Sequence, residues 1–148
     1  MSAGKTGSAA ALVAMAFMAA SVFAAGAPAI VVLQSRATPS IPGAPTTAVY
    51  LSLHNEGARA DRLLGASSPF AARIELHRTD MSAGVNSMRP VDGIDLPVGG
   101  QIEFGSSGLH LMLIGLVRPL QPGMALPLTL KFRQAGDVKI VVPVLGVK

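Results

Sequence analysis

The sequence predicts an all-β domain, a sandwich or a barrel. Three observations predict it. From residue 46 onward the apolar residues fall in short runs of strand length. Turn residues separate those runs at close intervals. Outside the first 27 residues, no apolar stripe at helical spacing exceeds two turns. Short strands with frequent turns are the mark of sandwiches and barrels.

The chain opens with a segment set apart from that domain. Lys5 precedes an apolar, Ala-rich run from Ala9 to Ala25, and small residues follow at Ala24, Ala25, Gly26 and Ala27. This charged, apolar, small-residue order is that of an export signal over residues 1–27. An uncleaved membrane anchor is the other reading, and the run is Ala-rich and close to the shortest length that spans a bilayer. One domain is expected over residues 28–148. It begins with a Pro-rich lead-in at 37–47 that has no periodic pattern.

Strands are expected at 46–54, 61–66, 71–77, 86–91, 101–104, 109–115, 126–133 and 138–145. Each is an apolar or alternating run bounded by turn residues. The turns fall at Asn55-Glu56-Gly57, Gly99-Gly100, Ser106-Ser107-Gly108, Gln121-Pro122-Gly123 and Ala135-Gly136-Asp137. No internal repeat is evident.

Composition narrows the function. The 148 residues contain no Cys. That removes disulfides, thiol nucleophiles, iron–sulfur clusters, thiolate zinc sites and blue-copper centres. Net charge is +4, but the arginines are scattered and the aromatic content is only 4%, so nucleic-acid binding is not expected. No His-Glu-X-X-His, Gly-X-Ser-X-Gly or paired-carboxylate segment is present, so no enzyme is expected.

Side chains alternate across a strand. In 71–77, Ile74 and Leu76 share one face while Arg73, Glu75 and His77 share the other. In 109–113, Leu109, Leu111 and Leu113 form the core face, and His110 and Met112 point the opposite way, side by side. A methionine on a strand is ordinarily core filling; the parity of Met112 argues otherwise. With Met88, these residues form the series His77-X10-Met88-X21-His110-X-Met112. A four-residue pattern at fixed spacing is far more specific than a short motif.

That series, with the segments around it, resembles the periplasmic copper chaperone family PCu(A)C. The likeness extends to Tyr50-Leu51-Ser52-Leu53-His54-Asn55, Asp61-Arg62-Leu63-Leu64-Gly65-Ala66-Ser67-Ser68, Ile74-Glu75-Leu76-His77, Met88-Arg89-Pro90-Val91 and Gly108-Leu109-His110-Leu111-Met112-Leu113. Leu128-Thr129-Leu130-Lys131-Phe132 and Val141-Val142-Pro143-Val144 look like the closing strands. Departures are few. Gln34-Ser35 stand where relatives often carry a Trp before the Arg, Arg78 stands where some carry an extra Met, and a His/Met-rich tail is lacking. None touches the four motif positions.

The resemblance implies a cupredoxin-like Greek-key β-sandwich that binds one Cu(I) through His77, Met88, His110 and Met112. It also implies a periplasmic, monomeric carrier that delivers copper to the CuA centre of cytochrome c oxidase. The partner is then oxidase subunit II or another copper assembly factor. The donor chemistry agrees. Thioethers are soft and favour Cu(I), imidazole is a good copper donor, and neither forms disulfides in an oxidising compartment. A copper-buffering or resistance protein without a dedicated oxidase partner is the alternative. Met81, His54 and Met124 are expected to be a loop residue, a surface or hydrogen-bonded residue, and a packing residue. Arg78 and Arg89 flank two candidate ligands.

Overall fold

The computed structural model describes residues 29–81, 84–105 and 108–146. The expected export signal and most of the turn at Ser106-Ser107 lie outside them. Every named element among the described residues is a strand: β1 Ile30–Ala37, β2 Thr46–Asn55, β3 Asp61–Ser67, β4 Ala71–Asp80, β5 Ser87–Pro90, β6 Ile94–Leu96, β7 Gln101–Glu103, β8 Leu109–Leu116, β9 Ala125–Phe132 and β10 Gly136–Pro143. All eight expected strands are present. The sequence reading did not mark β1 and β6 as strands.

The strands form one sheet in the order β1-β2-β8-β4-β3-β9-β10, with β5 on β4, β6 on β3 and β7 on β2. The named pairings are antiparallel. Neighbours distant in sequence, such as β2 with β8 and β3 with β9, give Greek-key character. A parallel bridge from Ala37 to Val144 draws β1 to the end of β10. The Leu145 N–H donates to the Ala37 carbonyl across the same seam, at 3.1 Å. The two layers of the expected sandwich are thus two halves of one curled, nearly closed sheet, which leaves little unpaired edge.

Inside lies one apolar core, mostly aliphatic, with Phe104 and Phe132 among it. Val49, Leu51 and Leu53 of β2, Leu111 and Leu113 of β8, Leu126, Leu128 and Leu130 of β9, and Leu63, Leu96 and Leu120 are all buried. Each fully buried leucine is stabilising by about 1.5–3 kcal/mol relative to exposure. The Leu109-Leu111-Leu113 parity is therefore as expected, with Leu109 partly buried against the core. At the end of β2, the buried Asn55 donates to the carbonyls of Arg59 and Leu96 at 2.8 and 3.1 Å. Its Oδ1 accepts from Gly57 N–H at 2.9 Å. This satisfied side chain builds the expected turn and ties it to β6.

Candidate metal centre

Core packing on one face of β8 decides what the other face carries. Because Leu111 and Leu113 are fully buried inside, His110 and Met112 must project from the outer face. Strand β4 pairs with β8 in a register that sets His77 opposite His110 and Glu75 opposite Met112. Strand β5 then pairs with β4 so that Met88 lies opposite Thr79, on the same face and diagonal to His77. All four sequence-predicted residues therefore share one outer face, with Met88 and Met112 flanking the histidine pair on opposite sides. The connection between the expected strands 71–77 and 86–91 is shorter than the sequence suggested. Strand β4 continues to Asp80 and β5 begins at Ser87, because the pairs Arg78–Arg89, Thr79–Met88 and Asp80–Ser87 extend the ladder. His77 is thus inside a hairpin, not at a strand end.

The imidazoles are close, with ring centroids 5.7 Å apart and planes inclined by 58°. His110 lies on the outer face and is nevertheless only 3% exposed. Tyr50 covers it from β2 at 6.4 Å between centroids, and Arg36 stacks over the Tyr50 ring at 4.8 Å. A cavity of about 540 Å³ opens on the far side of Tyr50, bordered by Arg36, Ser52 and Glu103; none of the four candidate ligands lines it.

Each imidazole uses one nitrogen and leaves the other. His77 Nε2 lies 2.8 Å from Glu75 Oε2. A carboxylate can only accept, so Nε2 carries the proton and donates. His77 Nδ1 is then a buried lone pair with no partner among the described residues. His110 Nδ1 lies 3.3 Å from the Gly108 carbonyl and donates to it. His110 Nε2 is the second buried nitrogen without a described partner. Thr79 Oγ1, on the same face, is the third such atom. Buried polar atoms are ordinarily paired, so two unpaired imidazole lone pairs on adjacent strands point to an electrophile as their partner. A carboxylate or carbonyl on the far nitrogen is the usual support of a metal-bound histidine.

The electrostatics fit the same reading. Burial pushes the His110 imidazole below its ordinary 6.5, against the Gly108 carbonyl, which raises it; nearby His77 lowers it further. A neutral ring is the form that ligates metals. Glu75 is held below its ordinary 4.5, chiefly by the hydrogen bond with His77 and then by that with Arg73, whose Nε donates at 2.9 Å. Sequence reasoning placed Glu75 beside His77 by parity but gave it no role.

Other candidates lie elsewhere or do other work. Met81 is exposed just beyond β4. His54 pairs with Glu56 at 3.5 Å, opposite Val31 and Gln101. Met124 packs against the core, and its sulfur accepts from Gln121 N–H at 3.1 Å. Among the described residues no group of three or more His, Asp or Glu could hold a metal ion.

Fold and face together define a small all-β domain that sets two histidines and two methionines on one outer face. The chain matches the family described as "Putative lipoprotein LpqE-like" over residues 29–144, and it belongs to that family. A relative from Leifsonia xyli subsp. xyli, "Putative lipoprotein Lxx21020", is 31% identical over 111 residues, covering 74% of this chain and 67% of its own. The Cu(I) form of DR1885 from Deinococcus radiodurans is 30% identical with a TM-score of 0.65, covering 82% of this chain and 81% of that one. The copper-bound PCuAC domain of PmoF2 superposes with a TM-score of 0.69 at 24% identity, covering 80% and 94%. The fold is that of PCuAC domains, as the sequence resemblance implies.

Proposed function

We propose that this protein is a Cu(I) carrier, holding one ion between His77 Nδ1, His110 Nε2 and the thioethers of Met88 and Met112. One observation carries the reading. Two buried imidazole lone pairs lie on adjacent strands without a described partner, and both rings have their other nitrogen engaged. Strand register adds a methionine on either side. Solved structures of the same fold include a copper-bound PCuAC domain and a Cu(I) form of DR1885.

The chemistry is that of holding and releasing. Neutral imidazole and thioether donors suit Cu(I) and need no deprotonation beyond the histidines. The sheet fixes His77 and His110. Met88, on a four-residue strand and 58% exposed, is the donor an acceptor reaches first. Thioethers bind more weakly than thiolates, which favours handing the metal on. The protein acts in the periplasm and passes copper to the CuA centre of cytochrome c oxidase, directly or through another assembly factor. Relatives named as lipoproteins fit an exported location. These 148 residues include no Cys, so none of them can carry a thioether-linked lipid.

Titration of the domain with Cu(I) against a competing chelator tests the site. The double variant His110→Ala, Met112→Ala is expected to lose tight binding, and unchanged affinity would sink the assignment. A deletion strain separates delivery from buffering. Oxidase activity that falls and is restored by added copper supports delivery, whereas copper sensitivity with normal oxidase supports buffering.

A further inference from the structure

The two imidazoles are not held alike. His77 donates to Glu75 at 2.8 Å. His110 donates to the Gly108 carbonyl at 3.3 Å, and that carbonyl also accepts the Thr79 N–H at 3.0 Å. A bond of 3.3 Å is longer than the usual N–H···O contact, so it fixes the His110 ring only weakly. Packing from β2 supplies the rest.

One row of side chains crosses the outer face. Arg36 of β1 stands opposite Tyr50 of β2, His110 of β8 opposite His77 of β4, and His77 opposite Pro90 of β5. Tyr50 lies one step beyond the Val49–Leu111 pair, which brings it beside His110. The two rings meet at 6.4 Å with a tilt of 46°, within the range of aromatic contacts. Arg36 lies over the other partner, the Tyr50 ring, at 4.8 Å, close enough for a cation–π contact. Tyr50 thereby separates His110, 3% exposed, from the cavity on its far side.

The bulge in β1 sets this row. Before it, Val31 faces His54 and Val32 faces Leu53; the same register carried on would bring Ser35 to Tyr50. The extra residue, Leu33, advances the strand by one, and Arg36 arrives instead. Re-aiming a side chain is a recurrent use of bulges. A serine there would leave the Tyr50 ring without its cation.

We infer that Tyr50, clamped by Arg36, is the positioning residue for His110: its ring fixes the imidazole and keeps water from Nε2, the buried nitrogen without a described partner. The inference deepens the carrier reading and rests on it. Tyr50 acts through His110 and donates nothing to the metal. The ring does this work, not the hydroxyl. Groups that orient a ligand and exclude solvent around it tune metal affinity.

Long-range proton–nitrogen correlation spectra of the metal-free chain read the His110 ring directly. The parent and Y50F should show one neutral tautomer, with the proton on Nδ1. In Y50L the nitrogen shifts should average toward a mixture of both tautomers. Cu(I) competition against a chelator reads the consequence. Affinity should be within about twofold of the parent in Y50F, about threefold weaker in R36M and about tenfold weaker in Y50L. L128A, a core change on β9, serves as the comparison for lost stability, and should lower the unfolding midpoint while leaving Cu(I) affinity near the parent's. Parental spectra and affinity in Y50L would overturn the inference, as would parental values in R36M for the clamp. So would a loss in Y50F as large as in Y50L, which would assign the role to the hydroxyl, or a loss in L128A as large, which would make it general stability. A parent chain that holds no Cu(I) would refute the carrier reading instead, and the metal-free spectra would still decide whether Tyr50 positions His110.

Discussion

Glu75 is the residue that fixes which nitrogen of His77 carries the proton. Its carboxylate holds the Nε2 proton at 2.8 Å, so the lone pair is left on Nδ1. Replacing it with Gln keeps the shape but weakens that hold, and losses of this kind typically cost about 10–100-fold in metal affinity. Chelator competition on Glu75→Gln should show such a loss with the unfolding midpoint little changed. The pH dependence follows from His110. Its folded pKa lies below the ordinary 6.5 because the ring is buried. Between those two values the unfolded chain binds a proton that the folded chain does not. Stability is therefore full above 6.5 and falls as pH drops through the window below it. Denaturant midpoints at pH 7.5 and pH 5 should show the loss, and His110→Gln should show less of it. That His77, Met88, His110 and Met112 share a face was legible because parity, spacing and a family resemblance depend only on sequence. Glu75 was equally placed by parity, beside Arg73 and His77. Its role depended on which nitrogen of His77 it engages, and spacing alone does not set that.

At the scale of elements, regular alternation decided what could be read. Strand β8 announces itself by Leu109, Leu111 and Leu113, and its outer face follows. Strand β1 does not, because a bulge at Leu33 shifts the register between Val32 and Gln34. Its core side is even-numbered before the bulge and odd-numbered after it, ending at the buried Ala37, so no single period runs through it. Strand β6 has three residues, Ile94 to Leu96, too few to show a period. Hairpin β4–β5 was read short because Arg78, Thr79 and Asp80 look like loop residues, yet each is paired. Pairing of β4 with β8 carries its own requirement at Gly115. There φ is +71°, and an added Cβ would come within 2.7 Å of the Ala72 Cβ. Gly115→Ala combines a strained backbone with a clash and should destabilise by about 1–3 kcal/mol, read as a lowered denaturant midpoint.

The whole molecule is a curled sheet whose inside is apolar and whose outside carries the four proposed donors. One residue belongs to both descriptions. Leu111 is fully buried and stands between His110 and Met112 on the same strand. Leu111→Ala should cost about 2–5 kcal/mol, measurable by denaturant unfolding. An all-β fold was legible from short runs and turns. That the two layers are one sheet was not, because the Ala37–Val144 seam joins the two ends of the domain, and no local pattern marks so distant a bridge. The direct pairing of β8 with β4 sets His110 opposite His77 and so holds the imidazoles 5.7 Å apart. X-ray absorption at the copper edge of the Cu(I)-loaded domain tests the central claim most directly. The account predicts a first shell of two nitrogens and two sulfurs at one copper per chain, falling to a single sulfur in Met88→Ala. A first shell of nitrogen and oxygen alone, with no sulfur, would contradict it.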